Sequence, residues 1–200
     1  MQSFWEMSAF VFTIALLAMI SPGPDFFIVL KNSLRYTRKP AMMTAFGVWM
    51  GVMTHMIYCV AGIAIIITAT PWLFTLLRYA GAAYLIWIGL KALFAKASGA
   101  TYYNESAVRE DVPLKSAFMQ GYLCNLLNPK ATLFFLSIFT QVLNADSSMG
   151  DKLWIAFIIT AQALVWWPCV VYLFQSQWVQ RRFFKIQFFI DKLLGIILIL

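Results

Sequence analysis

The chain has 200 residues, of which 62% are hydrophobic and 12% charged, with mean hydropathy +0.78 and net charge +7. Soluble domains average roughly 45–50% apolar and about 25% charged, so an ordinary soluble domain is excluded and an integral membrane protein is indicated. A basic excess would suggest nucleic acid in a soluble chain, but here the Lys and Arg residues lie mostly in short loops, where orientation in a membrane accounts for them and no nucleic-acid partner is implied.

A membrane-spanning helix needs roughly 20 mostly apolar residues. The first candidate covers residues 4–30 and is interrupted at residues 21–24 by Ser21, Pro22, Gly23 and Pro24, with Asp25 next. Proline removes a backbone donor and clashes with the preceding turn, so an unbroken helix is not expected. Lipid cannot hydrogen-bond the freed carbonyls, and such a break is tolerated only where it is buried in protein or lines a polar cavity. The N-terminus lacks a basic region, carries Glu6 and offers no good small-residue cleavage site, so it reads as a retained first span rather than a signal peptide.

The second span is predicted over residues 41–68 and the third over residues 72–94. Gly47 and Gly51 form a GxxxG pair suited to close helix contact in the second, and Ala82 and Gly89 share nearly one face of the third. The fourth span, residues 117–143, is broken at Asn128, Pro129 and Lys130. The fifth covers residues 153–174, where Pro168 is expected to kink the helix. The sixth is short, residues 188–200, with Asp191 and Lys192 near its start at the interface. Trp49, Trp87, Trp166 and Trp167 read as packing or lipid contacts; Trp72, Trp154 and Trp178 fall near span ends, where aromatic belts form.

Loop charges alternate. Lys31, Arg35, Arg38 and Lys39 mark the first loop, Lys91, Lys96, Arg109 and Lys115 the third with its helix edges, and Arg181, Arg182 and Lys185 the fifth. The second loop, residues 69–71, is uncharged, and the fourth, residues 144–152, sets Asp146 and Asp151 against Lys152. Cytoplasmic loops carry the Lys and Arg excess, which puts both termini outside. Three spans per half then invert the second half relative to the first. The expected fold is an all-α membrane protein of six transmembrane helices, arranged as two inverted three-helix repeats with broken helices 1 and 4. The repeats are residues 1–96 and 115–200, joined by a cytoplasmic linker over residues 97–114. Interrupted apolar segments at matching places in two halves are the sequence mark of a transporter binding site, and each break here is followed by a Phe pair, Phe26–Phe27 and Phe134–Phe135.

Ionisable groups inside the membrane cost about 2.5–3.5 kcal/mol each on insertion scales and are functional candidates by default. Asp25 stands at the restart of the first broken helix, where Ser21 is expected to cap and free backbone donors favour an anion. It reads either as a local complement to the helix dipole or as a carboxylate for an ammonium group or a proton. Lys130 lies roughly 13 residues from either end of its span and, at about 1.5 Å per residue, near mid-membrane. It reads as a partner for Asp25, a ligand for a substrate carboxylate, or both in turn, against a purely structural ion pair. Asn128 and Asn125 offer amides beside it, with Asn128 also placed to cap the helix restarting at Pro129. The substrate-binding set is therefore Ser21, Pro22, Gly23, Pro24, Asp25, Asn128, Pro129 and Lys130. Proton-coupling candidates are Asp25 and His55, the only histidine, which otherwise reads as a satisfied core residue. Arg78 is expected to snorkel to the outer surface.

Cys59, Cys124 and Cys169 stand alone in apolar segments and read as small buried hydrophobes. The chain carries no phosphate loop, HExxH or GxSxG, so no enzyme is indicated. No metal site or cofactor is expected.

At SPGPDFF (residues 21–27) and NPKATLFF (residues 128–135) the chain resembles the LysE/RhtB family of bacterial amino-acid exporters. Supporting stretches are Ala45, Phe46 and Gly47 to Gly51, then Gly81 to Leu85 and Gly89, then Phe118 to Gly121. The resemblance covers nearly the whole chain. It implies a six-span secondary transporter of the bacterial inner membrane that exports an amino acid or derivative, driven by the proton gradient. Its partners would be the amino acid, protons and the lipid bilayer; assembly into a homo-oligomer stays open. The competing reading is a non-transporting membrane subunit of an assembly or redox relay. The paired interrupted helices favour the exporter, the lone cysteines disfavour a thiol relay, and metal-cation export lacks ligand clusters.

Overall fold

The computed structural model describes residues 4–69, 71–93, 109–143, 147–176 and 179. Seven helices lie within them: α1 (Phe4–Ile20), α2 (Pro24–Arg35), α3 (Arg38–Ala69), α4 (Pro71–Leu93), α5 (Leu114–Leu126), α6 (Pro129–Val142) and α7 (Met149–Phe174). Among the described residues the regular structure is all helix, apart from one isolated bridge between Tyr36 and Glu110. The expected sixth span, Trp178 and most of the linker lie outside the described residues.

Both expected breaks are present. α1 and α2 meet at a 54° bend, and the non-helical residues are Ser21, Pro22 and Gly23. Pro24 opens α2 at its first position, where its missing N–H costs nothing. The cap differs from expectation. Gly23, in extended backbone (φ −166°, ψ 177°), is the N-cap residue and no side chain caps α2, so Ser21 is two residues too early to do so. At the second break only Leu127 and Asn128 leave the helix, and Pro129 opens α6. Asn128 does cap α6: its Oδ1 accepts from Lys130 N at 3.0 Å. α7 starts in a capping box, Ser148 Oγ accepting from Asp151 N (3.1 Å) while Asp151 Oδ2 accepts from Ser148 N (2.7 Å). Pro168 lies inside α7 without ending it.

α3, 32 residues and roughly 48 Å long at about 1.5 Å per residue, is the central post. It packs chiefly on α5 and α7. The GxxxG pair faces α5 at backbone contact: a methyl group on Gly47 would strike the Phe118 carbonyl, and one on Gly121 the Thr44 carbonyl. On the α7 side, Trp49 Nε1 donates to Thr160 O at 3.1 Å. α1 lies against α7, tied by Trp154 Nε1 to Ser8 Oγ (2.9 Å) and Gln162 Nε2 to Phe12 O (2.9 Å). α4 packs mainly on α6.

The exterior is apolar. Trp5 is 77% exposed and Tyr79 73%, whereas Asn32, Thr44, His55 and Asn125 are buried. That distribution suits lipid around the outside. Helices α3 over Arg38–Gly62 and α7 are each long and apolar enough to cross a bilayer, as are α1 and α2 taken as one bent span.

Among the described residues, several of the basic loop residues gather at one end. At one end the α2–α3 loop, the end of the linker and the residues after α7 converge. Glu110 N donates to Arg35 O (2.8 Å), Thr37 N to Glu110 O (2.9 Å), and the Arg35 guanidinium meets the Glu110 carboxylate at 3.0 Å. Arg109 Nη2 donates to Gln175 O (3.0 Å) and Arg38 Nε to Gln175 Oε1 (3.2 Å). The start of α1 and the start of α7 meet at the opposite end, where the rings of Phe4 and Trp154 lie 5.4 Å apart.

The α3–α5 contact generates the first prediction. Gly47→Ala and Gly121→Ala should each destabilise the purified protein by about 1–3 kcal/mol, the usual effect of overpacking. Gly62→Ala, with open space at its Cβ position, should leave stability unchanged or slightly raised. Thermal unfolding in detergent distinguishes them; equal melting temperatures for all three would show that the α3–α5 spacing is not fixed by these glycines.

Candidate functional site

The two breaks meet, and each supplies the other's polar partners. Asp25, in the first turn of α2, accepts through Oδ2 from Asn125 Nδ2 and Asn128 Nδ2, both at 2.9 Å. These amides belong to the last turn of α5 and to the second break. In the other direction Lys130, in the first turn of α6, donates through Nζ to Pro22 O at 3.2 Å and to Ser21 Oγ at 3.4 Å. The lysine passes against Gly23, where a Cβ would stand 3.2 Å from Nζ. Thus the acid of the first break is held by the second, and the base of the second by the first.

Local physics explains why each group lies there. α1 ends with its carbonyls directed into the break, and the C-terminal end of a helix favours a cation, here the Lys130 ammonium. A carboxylate in the first turn of α2 suits the positive end of that helix. Asn128 does two jobs at once, since Oδ1 caps α6 while Nδ2 reaches Asp25. The other Asp25 oxygen, Oδ1, is buried and has no hydrogen-bond donor. The two opposite charges also act on each other electrostatically across the same space.

That space is a cavity of about 50 Å³. Ser21, Gly23, Asp25, Asn128 and Lys130 all line it, with Asn125. Its apolar walls come from α1 (Ala15, Ala18, Met19), α6 (Phe134, Phe135) and Trp167 of α7. Of the sequence-predicted residues, Pro22 contributes its carbonyl, while Pro24 and Pro129 serve as the first residues of α2 and α6 and do not line the cavity. His55 is buried in α3 behind the wall. Its Nε2 lies 3.1 Å from Asn125 O, and its ring lies 5.5 Å from that of Phe135, tilted by 49°.

Sequence reading gave Asn125 only a minor part, yet it is as close to Asp25 as Asn128 is. The available signal was proximity in sequence: Asn125 in the last turn of α5 stands three residues before Asn128 in the break, close enough for both amides to serve one carboxylate. Cys124 was read as a small buried hydrophobe, but its thiol lies beside the Asp25 carboxylate. Trp167 reached the cavity through tertiary packing alone.

The double role of Asn128 can be split. Asn128→Ser keeps an oxygen that can cap α6 but loses the amide to Asp25, and should destabilise the protein by about 1.5–3 kcal/mol, the range for a hydrogen bond to a charged group. Asn128→Ala loses the cap as well and should cost about 1 kcal/mol more. Chemical or thermal unfolding of the two variants measures the difference; equal losses would mean that the cap contributes nothing.

The chain matches the family described as LysE type translocator over residues 16–200. It is 34% identical over 194 residues to the uncharacterized membrane protein YrhP of Bacillus subtilis, covering 93% of this chain and 91% of that protein. It is 31% identical over 192 residues to a threonine efflux protein of Salmonella typhimurium (94% and 93% covered). It is 35% identical over 150 residues to a leucine efflux protein of Salmonella choleraesuis (75% and 68% covered). No solved structure matches it.

Proposed function

The chain belongs to the LysE type translocators, a family of multi-pass membrane transporters, and we propose that it is a secondary transporter exporting a neutral amino acid across the bacterial inner membrane, driven by the proton gradient. One observation carries this reading: a carboxylate and an ammonium, one from each broken helix, face a single apolar-walled cavity. An amino acid is a zwitterion and needs one anionic and one cationic contact. Asp25, with Oδ1 unsatisfied, takes the substrate ammonium or the coupling proton. Lys130, with the starts of α2 and α6, takes the carboxylate. Walls of Ala15, Ala18, Phe134 and Phe135 suit a neutral, largely aliphatic side chain. The relatives named for threonine and leucine efflux support that choice.

In this reading the two halves, residues 1–96 and 115–200, are inverted repeats joined by a cytoplasmic linker over residues 97–114. The packing supports it: α1 lies on α7 as α5 lies on α3, and α2 meets α7 as α6 meets α3. The end carrying Arg35, Arg38 and Arg109 is assigned to the cytoplasm by its charge. Impermeant thiol labelling tests the orientation in a chain whose native cysteines are replaced. In intact cells Ser147→Cys should label and Ser176→Cys should not; the reverse pattern overturns the assignment.

The transport roles are tested by uptake into inverted vesicles with and without a pH gradient. Asp25→Asn should abolish gradient-driven uptake. Lys130→Ala should lower uptake by roughly 10-fold or more, as losing hydrogen bonds made by a charged group costs about 1.5–3 kcal/mol. The double variant should be little worse than the poorer single one, because residues acting as a unit are not additive. Near-normal transport by Lys130→Ala rejects its role, and strictly additive losses reject the coupling.

A further inference from the structure

We propose that His55 is a positioning residue: a permanently neutral imidazole that donates from Nε2 to the broken end of α5 and thereby presents Asn125 to Asp25. The inference rests on the cavity being the substrate site, and its first test does not depend on transport. The contact is His55 Nε2 to Asn125 O, 3.1 Å and buried. A carbonyl has no proton to give, so the ring must donate, which fixes the Nε2–H tautomer. Nδ1 then carries only its lone pair, and it is buried with no hydrogen-bond partner. A second proton there would meet no acceptor and would bury a cation.

The residue that His55 holds is the one that matters to the site. Asn125 O also accepts from Asn128 N at 3.0 Å, closing the turn on which α5 ends. The Asn125 side chain donates to Asp25. Gly51, one turn before His55 on α3, leaves the room that this side chain occupies; a Cβ there would collide with the Asn125 amide. α3 therefore grips Asn125 twice, by the space at Gly51 and by the donor at His55. The His55 ring also packs edge-on to Tyr58 (5.0 Å) and against Phe135 (5.5 Å), a cavity wall. The titratable groups on this and the surrounding elements are placed as follows. Cys59 lies one turn along α3, Cys124 sits beside Asp25, Asp25 accepts from the two amides, and Lys130 reaches Ser21 and Pro22.

His55 is the only histidine in the chain, so ¹⁵N-histidine labelling of the intact protein in liposomes reports one imidazole. The expected spectrum has Nε2 protonated and Nδ1 unprotonated, unchanged across about pH 5–8, the window in which an ordinary histidine titrates. Titration in that window, or the Nδ1–H tautomer, overturns the proposal whatever the protein transports. Transport supplies the second arm. His55→Gln retains a donor near the Nε2 position but cannot titrate, and should stay within about 3-fold of wild type, whereas His55→Phe keeps a ring without a donor, leaves Asn125 O with the Asn128 N donor alone, and should lose roughly 5- to 12-fold. Equal loss in both, with both folded by size exclusion, would identify a proton carrier and reject the positioning role; an unaffected His55→Phe would reject it too. A wild-type chain that moves no amino acid would instead refute the transport reading and leave the imidazole spectrum to decide this one.

Discussion

Everything in this molecule depends on how two broken helices satisfy each other. A break inside a membrane frees backbone carbonyls and donors that lipid cannot bond. Here the backbone of the first break is served from the second, where Lys130 donates to the Pro22 carbonyl, while the second is capped by its own Asn128. The first receives an ammonium from Lys130, and the second receives a carboxylate from Asp25. The side chains that serve the broken backbone, Lys130 at the Pro22 carbonyl and Asn128 at the start of α6, are also the ones that meet Ser21 and Asp25 in the polar centre of the bundle. Structural repair and a polar site are one arrangement.

That arrangement is built on the contact between α3 and α5. Gly47, Gly51 and Gly121 remove side chains where the two helices touch. Close approach lets α3 reach the end of α5 with His55 and leaves space for Asn125. In a bilayer, helix association gains little from apolar burial, because lipid is as apolar as leucine; close van der Waals packing takes its place. The polar centre is held in position by glycines that carry no polar group.

Much of this was legible beforehand, for identifiable reasons. Proline and glycine act locally, so both breaks fell within a residue or two of expectation. The GxxxG pair signals close approach whatever the partner, and α5 proved to be that partner. Charge alternation assigned loops to two ends, and Arg35, Arg109 and Arg38 do gather at one of them. The misses share a different cause. Whether Ser21 or Gly23 caps α2 depends on backbone dihedrals at one residue, which composition does not report. Asn125, Cys124 and Trp167 became site neighbours only through the packing of α5 and α7 on other helices. Sequence periodicity says which face of a helix is apolar, but not which element that face will meet.

The bonding pattern also bears on how Asp25 and Lys130 are each stabilised. A fully desolvated pair gains Coulomb energy but loses the hydration of both ions, and the balance is often unfavourable. Asp25 instead takes two amide donors, and Lys130 takes a carbonyl and a hydroxyl. Neutral dipoles stabilise each charge without cancelling it. A ligand group of the right sign can then add to such a charge or take over one bond at a time, and Asp25 Oδ1 has no donor to surrender first. In the proposed transporter the same amides would keep the carboxylate stabilised while a cation or proton arrives and leaves. Polar partners that are individually exchangeable, mounted on backbone that is not, are what a reversible binding site in a dry environment requires.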